Sequence, residues 1–202
     1  MANVRAFIAI EIPEEIKKEI SSIQDELKKS LGKTPGISWA RPATTHLTLK
    51  FLGDVPEEKI GDIEEALRLS TRGIKAFTVS VTGIGGFPNL ENPRVLWAGI
   101  QESAELENLH VAMENSLYAV GFEKDEKPFR PHLTLARIKS PVEGKKLSKA
   151  IKELRTDINA DFIADSVILF KSELSSRRAV HTPIAKTILG QVTTRRVNEN
   201  QN

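Results

Sequence analysis

The sequence predicts an α+β fold built as two similar lobes around a central groove. Three observations predict it. Strand-like and helix-like segments alternate without the steady βαβ rhythm of a parallel sheet. The tetrapeptide His-Leu-Thr-Leu occurs twice, at 46–49 and at 132–135. Each copy has a helical pattern before it and another after it, so the two halves run in roughly the same order. No repeat of the short periods that mark solenoids or propellers is present.

Taken in order, the elements are as follows. Val4 to Glu11 is nearly all apolar, as expected of a strand covered on both faces. Pro13 stands where a helix can begin, and Ile16, Ile20, Ile23, Leu27 and Leu31 recur at helical spacing up to Gly32. A connection rich in proline and threonine leads to His46–Leu52, whose polar and apolar residues alternate as in a half-buried strand. Gly53-Asp54 is expected to turn the chain, and Pro56 to open a second helix with Ile60, Ile63 and Leu67 on one face. Phe77 to Ile84 and Arg94 to Ile100 read as paired strands joined through Gly85-Gly86-Phe87-Pro88-Asn89. A third helix carries Leu106, Leu109, Met113, Leu117 and Val120 and stops at Gly121. Arg130 to Ile138 reads as a strand, and a helix runs from about Val142 to Leu154. Strands near Asp161–Lys171 and Ala179–Leu189 complete a single bilobal catalytic domain over 1–192, and 193–202 is a polar tail expected to fray.

Composition narrows the function. At 202 residues, 40% hydrophobic and 28% charged, the chain suits one large domain or two lobes sharing a core. No stretch approaches the roughly 20 apolar residues that span a bilayer. The apolar run Ala6–Ile10 is too short for a signal-peptide core and meets Glu11, Pro13 and Glu14 in place of a cleavage site, so a cytoplasmic location is expected. With no cysteine, disulfides and thiolate metal sites are excluded. A net charge of +2, from 29 basic and 27 acidic residues, excludes coating of nucleic acid by bulk electrostatics. Any nucleic-acid contact should be local, as at one end of a strand.

The repeated motif carries the chemistry. A lone strand histidine is usually a satisfied structural residue. Here two of the four histidines head the same string, a coincidence on the order of one in a thousand at ordinary residue frequencies. Strand side chains alternate, so His46 and Thr48 share one face while Leu47 and Leu49 anchor the other. His132, Thr134, Leu133 and Leu135 repeat the arrangement. If a pseudo-twofold axis relates the lobes, both His-Thr pairs converge on one cleft. Opening a cyclic phosphodiester needs a base to activate water and an acid to protonate the departing ribose oxygen. Histidine suits both roles near neutral pH, and the threonine hydroxyls can hold non-bridging phosphate oxygens. Positioned donors make a metal or cofactor unnecessary, and none is expected. Arginine is the other expected phosphate donor. By strict alternation Arg130 shares a face with His132, whereas Arg137 does so only if a bulge or the strand end redirects it.

The sequence resembles the two-histidine phosphoesterases, and within them the RNA 2′,3′-cyclic phosphodiesterases long called 2′-5′ RNA ligases. The likeness runs through Arg5-Ala6-Phe7-Ile8-Ala9, His46-Leu47-Thr48-Leu49-Lys50-Phe51-Leu52-Gly53, Arg94-Val95-Leu96-Trp97-Ala98-Gly99 and Pro131-His132-Leu133-Thr134-Leu135-Ala136-Arg137. It implies a bilobal fold with helices outside, no cofactor, and opening of the ring to a 2′-phosphomonoester. It also implies His46 as proton donor, His132 as proton acceptor, and Thr48, Thr134 and Arg137 as phosphate contacts. The implied substrate is RNA with a cyclic phosphate end, tRNA fragments among them, or a nucleotide cyclic phosphate. Reverse 2′-5′ ligation is a further expectation. A monomer without obligate protein partner or membrane contact is expected. Where the family carries a tyrosine after a Gly-Ala pair, this chain has Arg178-Ala179-Val180-His181.

Two other readings compete: a phosphodiesterase of small cyclic phosphates, and a module that grips RNA ends without turnover. Gly83-Ile84-Gly85-Gly86 lacks the lysine and Ser/Thr of a phosphate-binding loop and reads as a hairpin or loop. His110, within the third helix, is expected to be exposed or capping. Trp97 is expected to pack in the core, with base stacking at the groove as the alternative. The Lys/Glu runs at 14–18 and 143–149 read as solvated helix faces.

Overall fold

The computed structural model describes residues 2–174 and 179–190, so the expected polar tail lies outside the described residues. Nine strands and four α-helices appear among them: β1 (Asn3–Glu11), α1 (Glu14–Leu31), β2 (Ile37–Trp39), β3 (His46–Pro56), α2 (Ile60–Ser70), β4 (Phe77–Phe87), β5 (Val95–Ile100), α3 (Ala104–Ala119), β6 (His132–Ile138), α4 (Pro141–Leu154), β7 (Asn159–Ala164), β8 (Ser166–Leu174) and β9 (Ala179–Ile188). They form an α+β molecule with two sheets, one in the order β3-β1-β8-β9 and the other β2-β6-β5-β4-β7. All of their strand pairs are antiparallel. None of the described helices is long and apolar enough to cross a membrane.

Inner position explains the apolar β1. It lies between β3 and β8, and Ala6 to Ile10 are buried on both faces. α1 opens with Glu14 and Glu15, closes with Lys28 and Lys29, and ends at Gly32 with φ 67°. Its buried side holds Ile16, Ile20, Ile23, Gln24 and Leu27. One apolar core, fed by both sheets and by the helices, runs through the molecule. Leu47, Leu133, Leu135 and Leu109 are fully enclosed in it, each adding roughly 1.5–3 kcal/mol. A second, smaller cluster of Phe7, Ala9, Ile168 and Phe170 covers the other face of the four-stranded sheet.

Four expectations are corrected. Gly53-Asp54 does not turn the chain: β3 continues to Pro56, and Gly53, at φ 73°, sits beside a bulge where Leu52 is skipped between the pairs Phe7↔Phe51 and Ala6↔Gly53. Glycine serves a bulge as readily as a turn, so the residue type could not distinguish them. Gly85, Gly86 and Phe87 belong to strand β4, paired with Trp97, Leu96 and Val95, and are not a loop. The expected single strand near 161–171 is two strands. β7 pairs with β4 in the five-stranded sheet, and after Asp165 the chain enters β8 of the four-stranded sheet. The sequence runs almost unbroken in strand-forming residues there, so the crossing is invisible to local pattern. The connection before His46 also holds the short strand β2 and a 3-10 turn over Pro42–Thr44.

Candidate active site

The motif strands β3 and β6 lie in different sheets but approach each other across the lobes. Each motif is laid against an inner strand in the same register. His46, Leu47 and Thr48 face Glu11, Ile10 and Ala9. His132, Leu133 and Thr134 face Gly99, Ala98 and Trp97. Both ladders then slip at the same step. The next pairs are Ile8↔Lys50 and Leu96↔Ala136, leaving Leu49 and Leu135 without partners. The second leucine of each motif is therefore the extra residue of a β-bulge.

The bulge reverses the alternation that follows it. Leu47, Leu49 and Lys50 are all buried, as are Leu133, Leu135 and Ala136. Phe51 and Arg137 are consequently returned to the face of His46–Thr48 and His132–Thr134, and both are exposed. For Phe51 the ring contacts agree: it lies 6.0 Å from Phe7, whose ring meets His46 edge-on at 5.9 Å. Alternation alone favoured Arg130, but β6 begins only at His132, so no strand alternation reaches Arg130. What it contributes is its backbone: the carbonyl accepts a 2.7 Å hydrogen bond from His132 Nδ1. A carbonyl can only accept, so Nδ1 carries the hydrogen and Nε2 is left for a substrate.

His46 occupies an apolar setting. Its ring lies 4.5 Å from Phe170 and 5.7 Å from His181. Burial pushes its pKa down to about 4; positive charge on His181 and Lys17 acts the same way, and a backbone hydrogen bond with Thr44 opposes both. The 2.7 Å hydrogen bond to Arg130 fixes His132 to the backbone two residues upstream.

Two further residues share this surface. His181 of β9 packs edge-on against Phe7 at 5.0 Å, and burial lowers its pKa. Its Nδ1 is buried without a hydrogen-bond partner among the described residues. Cross-strand register brings it here: Phe7 pairs with Phe170, Phe170 with Pro183 and Ser172 with His181. Trp97 is half-buried on the His132 face, 6.4 Å from that ring and 5.3 Å from Phe87. It is not the core residue first expected. It lies over Gly85, where any side-chain carbon would overlap the indole, which explains the glycine. The indole Nε1 is buried and unpartnered among the described residues. His110 is a correction as well: it is largely buried and stacks on Phe129 at 3.9 Å. Among the described residues, no three His, Asp or Glu side chains cluster as a metal ion would require.

A family model described as LigT like Phosphoesterase matches residues 10–97 and 99–181. The chain belongs to that family. Among its LigT-like relatives, an RNA 2′,3′-cyclic phosphodiesterase of Methanothermobacter thermautotrophicus is 34% identical over 180 residues, covering 89% of this chain and 96% of the relative. One from Methanocaldococcus jannaschii is 35% identical, covering 90% and 98%. Among solved structures, that of Escherichia coli LigT complexed with 3′-AMP matches with TM-score 0.72 and 25% identity, over 94% of this chain and 99% of that one. A Thermus thermophilus structure matches with TM-score 0.75 and 27% identity, over 92% and 97%. The LigT-like architecture accounts for the two lobes and the paired motif strands together.

Proposed function

We propose that this chain hydrolyses RNA 2′,3′-cyclic phosphate ends to 2′-phosphomonoesters by metal-independent acid–base catalysis between His46 and His132. The observation that carries the reading is the pair of identically bulged His-x-Thr strands, one from each sheet. The names of the relatives supply the substrate class.

The steps follow from the side chains. His132 Nε2 takes a proton from water as the water oxygen bonds to phosphorus. The bond from phosphorus to the ribose 3′ oxygen breaks, and His46 delivers the proton that oxygen needs. Burial keeps an empty His46 neutral above a pH of about 4. The negative charge of an arriving phosphodiester favours its protonated form, so substrate binding loads the acid. Thr48 and Thr134 donate to the non-bridging oxygens, and Arg137, carried to this face by the bulge, pairs with their charge. A 5′-hydroxyl in place of water gives 2′-5′ ligation by the same transfers. Cleaved tRNA ends are among the RNAs that present this terminus.

The test is product analysis. Protein in excess chelator is incubated with a short RNA bearing a 2′,3′-cyclic phosphate, and a terminal 2′-phosphate is expected. A 3′-phosphate, or stable binding without turnover, overturns the reading.

A further inference from the structure

The helix that follows the inner strand of each sheet reaches the motif of the other sheet. α1 leaves β1 of the four-stranded sheet and leads into β2 of the five-stranded one; it packs beside α4, and its Gln24 reaches the second motif. Gln24 is 1% exposed. Its Nε2 donates to the Leu135 carbonyl and to the Ala40 carbonyl, each at 2.9 Å. Leu135 is the bulge residue of the second motif, and its carbonyl also accepts from the Ala40 amide at 2.9 Å.

α3 performs the reciprocal task. It connects β5 to β6 of the five-stranded sheet but packs beside α2. Its Glu114 pairs with Lys50 at 2.7 Å, and Lys50 directly follows the bulge residue of the first motif. Lys50 is 3% exposed, because the bulge turns it inward in place of the outward position alternation would assign. Four of the five buried residues of each helix match in step: Ile16 with Leu106, Ile23 with Met113, Gln24 with Glu114, and Leu27 with Leu117. In each, the one buried polar residue stands at the same step and meets the other sheet's bulge.

Glu114 also holds the segment that leads into the second motif. Its Oε2 accepts from the Asp125 amide at 3.0 Å, and Lys50 donates to Asp125 Oδ1 at 3.1 Å. One helical turn earlier, His110 stacks on Phe129, the residue before Arg130, whose carbonyl holds His132. The segment leading into the second motif is thus tied down at Asp125 and Phe129.

We infer that Gln24 and the Lys50–Glu114 pair are positioning residues that brace the two catalytic bulges crosswise, the helix after each sheet's inner strand holding the other sheet's motif. Apolar side chains of the same volume would serve a core at least as well, since a buried ion pair gains little over them in stability. What the polar groups add is direction. A carbonyl or lysine at a bulge can be held only where its partner stands, and the bulge decides which way Phe51, Arg137 and the residues around them point. Misplacement by about an ångström at such a site costs on the order of 100-fold in rate.

The inference rests on His46 and His132 being the catalytic pair, and its test separates the two ideas. Gln24→Met keeps the volume and removes both donors. Imidazole NMR signals of the folded variant should move for His132 and stay in place for His46, although Gln24 belongs to the helix that leads to His46. On a cyclic mononucleotide, kcat should fall about 10- to 100-fold with KM within three-fold. Lys50→Met combined with Glu114→Met removes the pair together and leaves no lone buried charge; it should move the signals of both histidines. Gln24→Asn, which retains an amide one methylene too short, is read in the same way if the methionine variant does not fold. Shifts confined to His46 in the Gln24 variants, or unchanged signals and kcat in the folded variants, overturn the crossed brace. Full activity in His46→Ala or His132→Ala overturns the catalytic reading instead, whatever the braces do.

Discussion

The strands carrying the two motifs share a tetrapeptide, a bulge and a set of buried leucines, yet they are built into their sheets differently. β3 is an edge strand, whereas β6 is enclosed between β2 and β5. Past the bulge the first strand turns a lysine inward and a phenylalanine outward, and the second turns an alanine inward and an arginine outward. The bulge supplies geometry common to both halves, and the residues after it make the halves unequal. Phe7 and Phe170 surround His46, with Phe51 against Phe7, whereas Phe87 and Trp97 flank His132 and Arg137 stands farther along the same strand face. A symmetric frame therefore gives the two histidines unequal surroundings, as the proposed division into acid and base requires.

Removing either histidine tests the shared part and should have the largest effect. Alanine at His46 or at His132 is expected to lower turnover of a cyclic-phosphate RNA by about 10²–10⁴-fold, measured under single-turnover conditions. Retention within a few-fold in either variant breaks the paired role.

The unequal part comes next. Arg137→Ala should reduce kcat/KM by about 10²-fold. Arg130→Ala should stay within a few-fold of the wild-type value, because the carbonyl that holds His132 survives the change. Comparable losses in both would mean the bulge does not select the arginine.

Packing should be even-handed. Leu47→Ala and Leu133→Ala, both completely buried at matching steps, should each destabilise the protein by about 2–5 kcal/mol. Phe51→Ala, at 70% exposure, should change stability by no more than about 0.5 kcal/mol. Urea titrations of the three variants measure the contrast.

The smallest effect concerns pH. His46 has its folded-state pKa pushed from 6.5 down to about 4, so the unfolded chain takes up the proton first. Its contribution is intact above pH 6.5 and is lost progressively as pH falls toward 4. His181 and His110, also lowered by burial, act with the same sign. His46→Phe should flatten the fall in melting temperature across this window. An unchanged slope would mean that His46 is not held neutral.

Much of this was legible in the chain. The helix ends at Gly32 and Gly121 and the buried stripe of α1 are local features, and local pattern found them. The pairing of His46 with Thr48 and of His132 with Thr134 needed only the strand period of two. Arg137 marks the limit: alternation rejected it, and a bulge made by pairing with β5 restored it. His181 is similar, because its place beside His46 depends on three registers in succession.

By itself, then, the sequence determined the two-lobe α+β plan, the histidine–threonine faces and the leucines that anchor them, since each depends on residues a few positions apart. Tertiary structure alone decided the register, the bulges, the surroundings of Trp97 and His181, and the crossed bracing by Gln24 and Glu114. Those features arise where segments far apart in the chain meet, as Gln24 meets Leu135 across 111 residues. Where a strand runs without a bulge, the face a residue takes is a property of its neighbours in the chain, but the bulges and the partners met across them are set by how the whole core closes.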